Sequence, residues 1–314
     1  SVTHKLSSSV FESFSRDYVI NATGDFTLTI YNAIGSDEKG TAGVFIADVK
    51  FIKTSDTEAE LDTAITAWVN DPTAATATYG DISNWNVSNV TNMDELFSEK
   101  NNFNENISNW DVSNVTSMYR MFFIANNFNQ EIDSWDVSKV TNMESMFNYA
   151  SDFNQEIDSW NVSKVTNMKK MFDSASVFNK SLNSWDVSNV TNMHSMFQTA
   201  AAFNGNITDW DVSQVTDLAY LFKNATSFNG DISGWNTSNV TIMENMFHTA
   251  SAFNKALNSW NVSQVTDMSY MFKSATTFDK ALDSWNVSSV KDMKYMFQSA
   301  NAFNQQIGSW NISN

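Results

Sequence analysis

The sequence predicts an α/β repeat fold, a solenoid of 25-residue strand–helix coils preceded by a small β segment. Three observations predict it. Tryptophan returns every 25 residues, at Trp85, Trp110, Trp135, Trp160, Trp185, Trp210, Trp235, Trp260, Trp285 and Trp310, with no insertion or deletion. A fixed period between about 20 and 50 residues marks a repeat architecture. Inside each unit the apolar spacing opens with a period of two and then changes to threes and fours, the shift expected where a strand gives way to a helix. The 42% hydrophobic and 14% aromatic content supplies a core. A unit this short cannot bury its own apolar face, so the units must stack on one another.

Residues 1–56 read as a β-rich segment, a partial sandwich or jelly-roll-like piece. Phe26, Leu28 and Ile30 alternate with Thr27 and Thr29, the pattern of a half-buried strand. Asn32 to Gly43 reads as a polar loop, and the run from Val44 to Ile52 as a second strand. About 50 residues make a poor sandwich alone. The segment is therefore cut from a larger domain, packed on the solenoid or completed by another chain.

Residues 57–80 read as a capping helix and linker. Thr57 and Glu60 form a capping box. Leu61, Ala64, Ile65 and Trp68 follow helical spacing, and Pro72 is expected to stop the helix. The apolar stripe then covers the first coil.

From residue 81 to 314 about nine repeats follow. In the unit opening at Ile107, the residues Ile107, Trp110 and Val112 predict a strand with Asp111 pointing out. Val115, Met118, Met121, Phe122 and Ala125 predict a short helix, for which Ser113 and Thr116 are both candidate caps. Phe128-Asn129 closes the unit. With one Pro and nine Gly in the whole chain, the bends must rely on Asn, Asp and Ser.

Composition narrows the function. The net charge is −17, and Arg16 and Arg120 are the only arginines. Such a field opposes nucleic acid and anionic membrane surfaces, so no nucleic-acid partner is expected. Without cysteine there is no disulfide, thiolate zinc site or cysteine nucleophile. No apolar run is long enough for membrane insertion. His4, His194 and His248 have no partner at ligand or triad spacing. Phosphate-loop, nucleophile-elbow and carboxylate-dyad patterns are missing too, and no enzyme is expected.

The motif W-[DN]-V-S-x-V-T-x-M-x-x-M-F-x-x-A-x-x-F-N-x-x-[IL] resembles the BspA-like leucine-rich repeat. It resembles more closely the 25-residue repeat of surface lipoproteins of wall-less bacteria. The resemblance implies a right-handed, leucine-rich-repeat-like solenoid on an exported surface protein, often an adhesin, with no catalytic residues to carry over. The departures are Leu218 and Leu221 for Met, Thr237 for Val, Asp279 for Asn and Lys291 for Thr.

The Trp, Met and Phe columns read as core. The column Asn104 to Asn304 reads as a ladder whose side chains satisfy backbone groups of adjacent coils. The candidate ligand face is the column after Trp: Asn86, Asp111, Asp136, Asn161, Asp186, Asp211, Asn236, Asn261 and Asn286. Like charges one coil apart at Asp111/Asp136 and Asp186/Asp211 ask for a reason. Three accounts stay open there: a bound cation such as Ca²⁺, a ligand-binding strip, and plain solvation, which leads. No other cofactor is expected. The functional expectation is a non-enzymatic, extracellular or cell-surface adhesion module that binds protein or glycan on another surface. The alternative is a structural subunit that joins copies of itself head to tail in a filament, appendage or virion surface structure.

Overall fold

The computed structural model describes residues 57–312 with their side chains, and the backbone of three strands between residues 18 and 53. Strands β1 (Tyr18–Asn21), β2 (Asp25–Ser36) and β3 (Ala42–Lys53) form an antiparallel sheet in chain order. The expected polar loop from Asn32 is shorter than predicted. Ala33 and Ile34 continue β2 opposite Phe45 and Val44, after a register shift between Ile30 and Asn32.

Helix α1 (Glu58–Asn70) begins as the capping box requires, with the Thr57 hydroxyl accepting from Glu60 N–H. Leu61, Ala64, Ile65 and Trp68 are its buried face, and Trp68 meets Trp85 edge-on at 5.8 Å. Pro72 does not merely end that helix. Asp71 closes α1 and caps α2 (Pro72–Tyr79), in which Pro72 takes the first turn, where its missing N–H costs nothing. Gly80, at φ 75°, then turns the chain into the repeats.

The repeats overturn the expected strand–helix coil. Beyond one short 3-10 turn at Ile82–Asn84, no helix or extended strand lies in the described residues of the repeats. Each coil is instead a chain of turns. In the second unit, Trp110 N–H donates to Ile107 O (3.1 Å), Val115 to Val112 O (2.9 Å) and Met121 to Met118 O (3.2 Å). Phe123 then donates to Arg120 O (3.0 Å), Ala125 to Phe122 O (3.1 Å) and Phe128 to Ala125 O (3.0 Å). The N–H groups between them leave the coil. Met118, Arg120, Phe122 and Ile124 donate to Asn142, Glu144, Met146 and Asn148 O of the next unit, at 2.9–3.0 Å.

The reason is conformational. Arg120 (φ 53°) and Ile124 (φ 56°) are left-handed, and the same two places are left-handed in each unit from Glu95 and Glu99 to Tyr295 and Ser299. A right-handed helix cannot contain them. Spacing of three serves a run of i→i+3 turns as well as it serves a helical stripe, so periodicity alone could not separate them. The strand was misplaced as well. Trp110 and Val112 are buried and Asp111 exposed, as alternation predicts. The parallel bridging runs through another column, Asn92–Ser117–Asn142 and onward to Asp292.

Stacking makes one continuous core. Trp rings of neighbouring units, such as Trp135 and Trp160, Trp185 and Trp210, or Trp285 and Trp310, lie 6.2–6.5 Å apart and near-parallel. Phe122 stacks on Phe147 at 5.5 Å along the array and on Phe128 at 3.9 Å within its own coil. Each indole also has a polar task. From Trp110 on the indole donates 28 residues back, Trp110 Nε1 to Ile82 O (2.9 Å), Trp185 to Ile157 O (2.9 Å) and Trp310 to Leu282 O (2.9 Å), whereas Trp85 donates to Gly80 O (3.2 Å). That donor explains why tryptophan occupies the column rather than Leu or Phe.

Trp185→Ala removes a ring with 3% exposure and its indole bond. It is expected to cost about 3–5 kcal/mol in urea unfolding. Trp310→Ala, at a half-buried ring, is expected to cost markedly less. Equal and small losses at both would contradict a buried ladder.

Candidate functional site

The predicted ligand column is occupied with the chain's own turns. From Asn86 to Asn286 the Asx side chain accepts from the N–H of the serine two residues on: Asn86 from Ser88 (3.0 Å), Asp111 from Ser113 (3.1 Å) and Asp136 from Ser138 (3.0 Å). The same bond joins Asn161 to Ser163 (3.2 Å), Asp186 to Ser188 (3.1 Å) and Asp211 to Ser213 (2.9 Å). It recurs at Asn236–Ser238 (3.2 Å), Asn261–Ser263 (3.1 Å) and Asn286–Ser288 (3.2 Å). One oxygen acceptor is all an Asx turn needs, which is why Asp and Asn interchange here. Donation from the side chain and backbone of Ser138 and Ser188 holds Asp136 and Asp186 below the usual carboxylate range. Among the described residues no three His, Asp or Glu side chains gather as a metal site.

A second column also works for the framework. Asn104 Oδ1 accepts from Asn129 N–H (2.9 Å), Asn129 Oδ1 from Asn154 N–H (2.9 Å), and so on. Asp279 keeps this ladder by accepting from Asn304 N–H (3.0 Å). The departures fit in similar ways. The Thr237 hydroxyl, in a valine column, donates to Asn261 O (3.0 Å). Lys291 keeps the backbone bond to Thr266 O (2.8 Å) that threonines make elsewhere.

What the sequence reading missed is the surface over the left-handed turns. It comprises the two residues after the first Met of each unit (after Leu218 where Leu replaces Met) and the two after the first Phe. All five tyrosines of the repeats lie there: Tyr119, Tyr149, Tyr220, Tyr270 and Tyr295. So do His194, His248 and Arg120. All six cation–π contacts among the described residues fall on this surface too, such as Arg120 over Phe123 (4.8 Å) and Lys273 over Tyr270 (5.2 Å). Side chains here vary from unit to unit while the Trp, Val, Ala and Phe columns barely change. That contrast was visible in the sequence, but a helix reading spread these residues around a cylinder.

The turn surface is polar and partly buried. His194 Nδ1 lies 3.1 Å from Asp217 Oδ2, while the neighbouring Ser195 hydroxyl donates to Gln198. Burial pushes the Asp217 carboxyl up, but the His194 and Ala219 donors outweigh it and hold the group below its usual range. Burial, reinforced by the Glu244 carboxylate at 2.7 Å, raises the Tyr220 phenol to about 12. Burial and then the Lys223 and Lys273 charges push His248 down. Asp173 is pushed up by burial, against donors from Ser174 and Gln198. The arrangement offers aromatic faces, cations and neutral acceptors in register, which is recognition chemistry.

A family model described as "Mycoplasma protein of unknown function, DUF285" matches residues 67–183, 153–255 and 230–314. The overlapping matches follow the repeats. No curated protein and no solved structure matches the chain.

Asp173 yields a pH test. A carboxyl with a raised folded-state pKa binds its proton more tightly when folded. Its stabilising contribution is full below the ordinary value of 3.8 and is lost as pH rises through the raised one. Asp173→Asn, which keeps the shape and removes the charge, is expected to raise the urea midpoint at pH 7 and leave it unchanged at pH 3. A lower midpoint at pH 7 would mean that Ser174, Gln198 and nearby cations more than offset the burial.

Proposed function

From the premise that this chain belongs to the DUF285 family and is a repeat protein, we propose that it is a non-enzymatic recognition module of an extracellular surface. Its stacked coils serve as a rigid platform, and a protein or glycan on another surface docks on the left-handed turns. One observation carries the reading: tyrosine, histidine and arginine within the repeats are confined to that surface. Tyr and Arg are the side chains that dominate binding energy at interfaces, because they bury large faces at small entropic cost.

The backbone supports it. Left-handed φ at β-branched Ile124, Thr199 and Thr249 is unfavourable, and each such N–H is held by a bond to the next coil, at 2.9, 2.7 and 2.8 Å. Strain maintained by surrounding structure gives a fixed display of side chains, which lowers the ordering cost of binding. The motif's resemblance to repeats of bacterial surface proteins agrees with this location.

The test uses arrayed glycans and surface proteins, with the chain and a Tyr119→Ala/Tyr149→Ala/Tyr295→Ala variant. Partners retained by the chain are expected to be lost by the variant, with melting unchanged. Retention by the variant, together with loss on Asp111→Asn/Asp136→Asn/Asp186→Asn/Asp211→Asn, would move the site to the column after Trp and contradict the reading.

A further inference from the structure

We propose that Lys223, His248 and Lys273, backed by Tyr220, Tyr270 and Tyr295, bind a linear acidic polysaccharide in which charged and neutral sugars alternate. This rests on the recognition reading above and names the ligand class for one stretch of the same surface.

The first three residues occupy one column in consecutive coils: each is the first residue after Phe222, Phe247 and Phe272. Neighbouring backbones in parallel register lie about 4.8 Å apart, so the two lysines stand about 10 Å apart along the stack. Both lie over rings rather than carboxylates. Lys223 Nζ is 5.1 Å from the Tyr220 centroid, and Lys273 Nζ is 5.2 Å from that of Tyr270 and 6.0 Å from that of Tyr295. Neither takes part in a salt bridge among the described residues. In a chain of net charge −17, two ammonium groups outside any salt bridge stand in register as a strip. The carboxylate among them, Glu244, is engaged by the Tyr220 hydroxyl and Asn245 Nδ2, and screening over about 8 Å isolates the strip from more distant acids.

The residue between them sets the alternation. Asn245 donates through Nδ2 to Glu244 (3.0 Å), so its Oδ1 is the acceptor that faces His248 Nδ1 at 2.7 Å. Nδ1 therefore carries the imidazole proton and Nε2 presents a lone pair. Burial, then the Lys223 and Lys273 charges, hold the imidazole below its usual range, which favours the neutral ring. The strip reads cation, neutral acceptor, cation. A carboxylate or sulfate fits each ammonium, and a sugar hydroxyl donates to Nε2. Charge on every residue of the ligand would set an anion against that lone pair, which disfavours a poly-acidic peptide. Beside the strip, Tyr270 is held between His248 at 6.4 Å and Tyr295 at 5.2 Å, which leaves the Tyr295 ring, 56% exposed, as the aromatic face open to a ligand. Such a face suits the C–H face of a pyranose ring, for which acidic side chains have no counterpart, while the bases of a duplex are already stacked on one another.

Calorimetry on the intact chain tests this with a hexasaccharide alternating glucuronate and N-acetylglucosamine, its carboxyl-reduced neutral form, poly-glutamate and duplex DNA. The acidic hexasaccharide is expected to bind, and to weaken by at least about tenfold for Lys223→Gln/Lys273→Gln. The neutral form should weaken comparably, and Lys164→Gln/Lys280→Gln should leave binding unchanged. Equal melting of the variants guards against a folding defect. Absence of binding, equal affinity for the neutral form, survival in the Lys223→Gln/Lys273→Gln variant, or tighter binding of poly-glutamate or DNA would each overturn the proposal. A partner found on the arrays that loses affinity on Tyr119→Ala/Tyr149→Ala but not on Lys223→Gln/Lys273→Gln would retain the recognition function while overturning this site.

Discussion

The indole N–H bond from each ladder tryptophan between Trp110 and Trp310 to the carbonyl 28 residues earlier fixes the rest of the architecture. It ties the start of one coil to the opening turn of the coil before it, inside the core, where an unpaired N–H would be costly. Only one register satisfies it. The Asn ladder at 25-residue offset and the backbone bonds from Met118, Arg120, Phe122 and Ile124 demand the same register. A single inserted residue would break all three sets at once, which accounts for a period that never slips.

That shared register frees the chain from regular secondary structure. A helix satisfies its own N–H groups; these coils satisfy alternate N–H groups on their neighbours. Stability is therefore a property of the stack, and a coil contributes through its contacts above and below. It also explains the tolerance for left-handed Arg120, Ser145 or Tyr270: the donor at each such residue is committed to the next coil, so relaxation to a commoner conformation would cost that bond.

Much of this was legible in the sequence and some was not. The burial of Trp, Val, Met, Phe and Ala followed from spacing, because it depends only on which positions repeat. The Thr57 cap and the Asn104–Asn304 ladder followed from the chemistry of hydroxyl and amide groups beside free backbone donors. The turns were not legible because spacing of three is shared with a helical stripe, and no propensity rule foresees Ile124 or Thr249 in left-handed conformation. The role of the column after Trp was available in principle: Asx followed two residues later by Ser is turn chemistry. Reading that column as a strand face hid it. The variable surface was missed for the same reason, since its residues gather only once the helix is replaced by turns.

Hydrogen exchange of the indole N–H groups, followed by two-dimensional NMR on the whole chain, tests the central claim most directly. The account predicts strong protection for the tryptophans from Trp110 to Trp285, lost together when denaturant unfolds the stack, and weaker protection for half-buried Trp310. Exchange of the inner indoles at the rate of free tryptophan would mean that they are not bonded across coils, and the shared register would lose its cause.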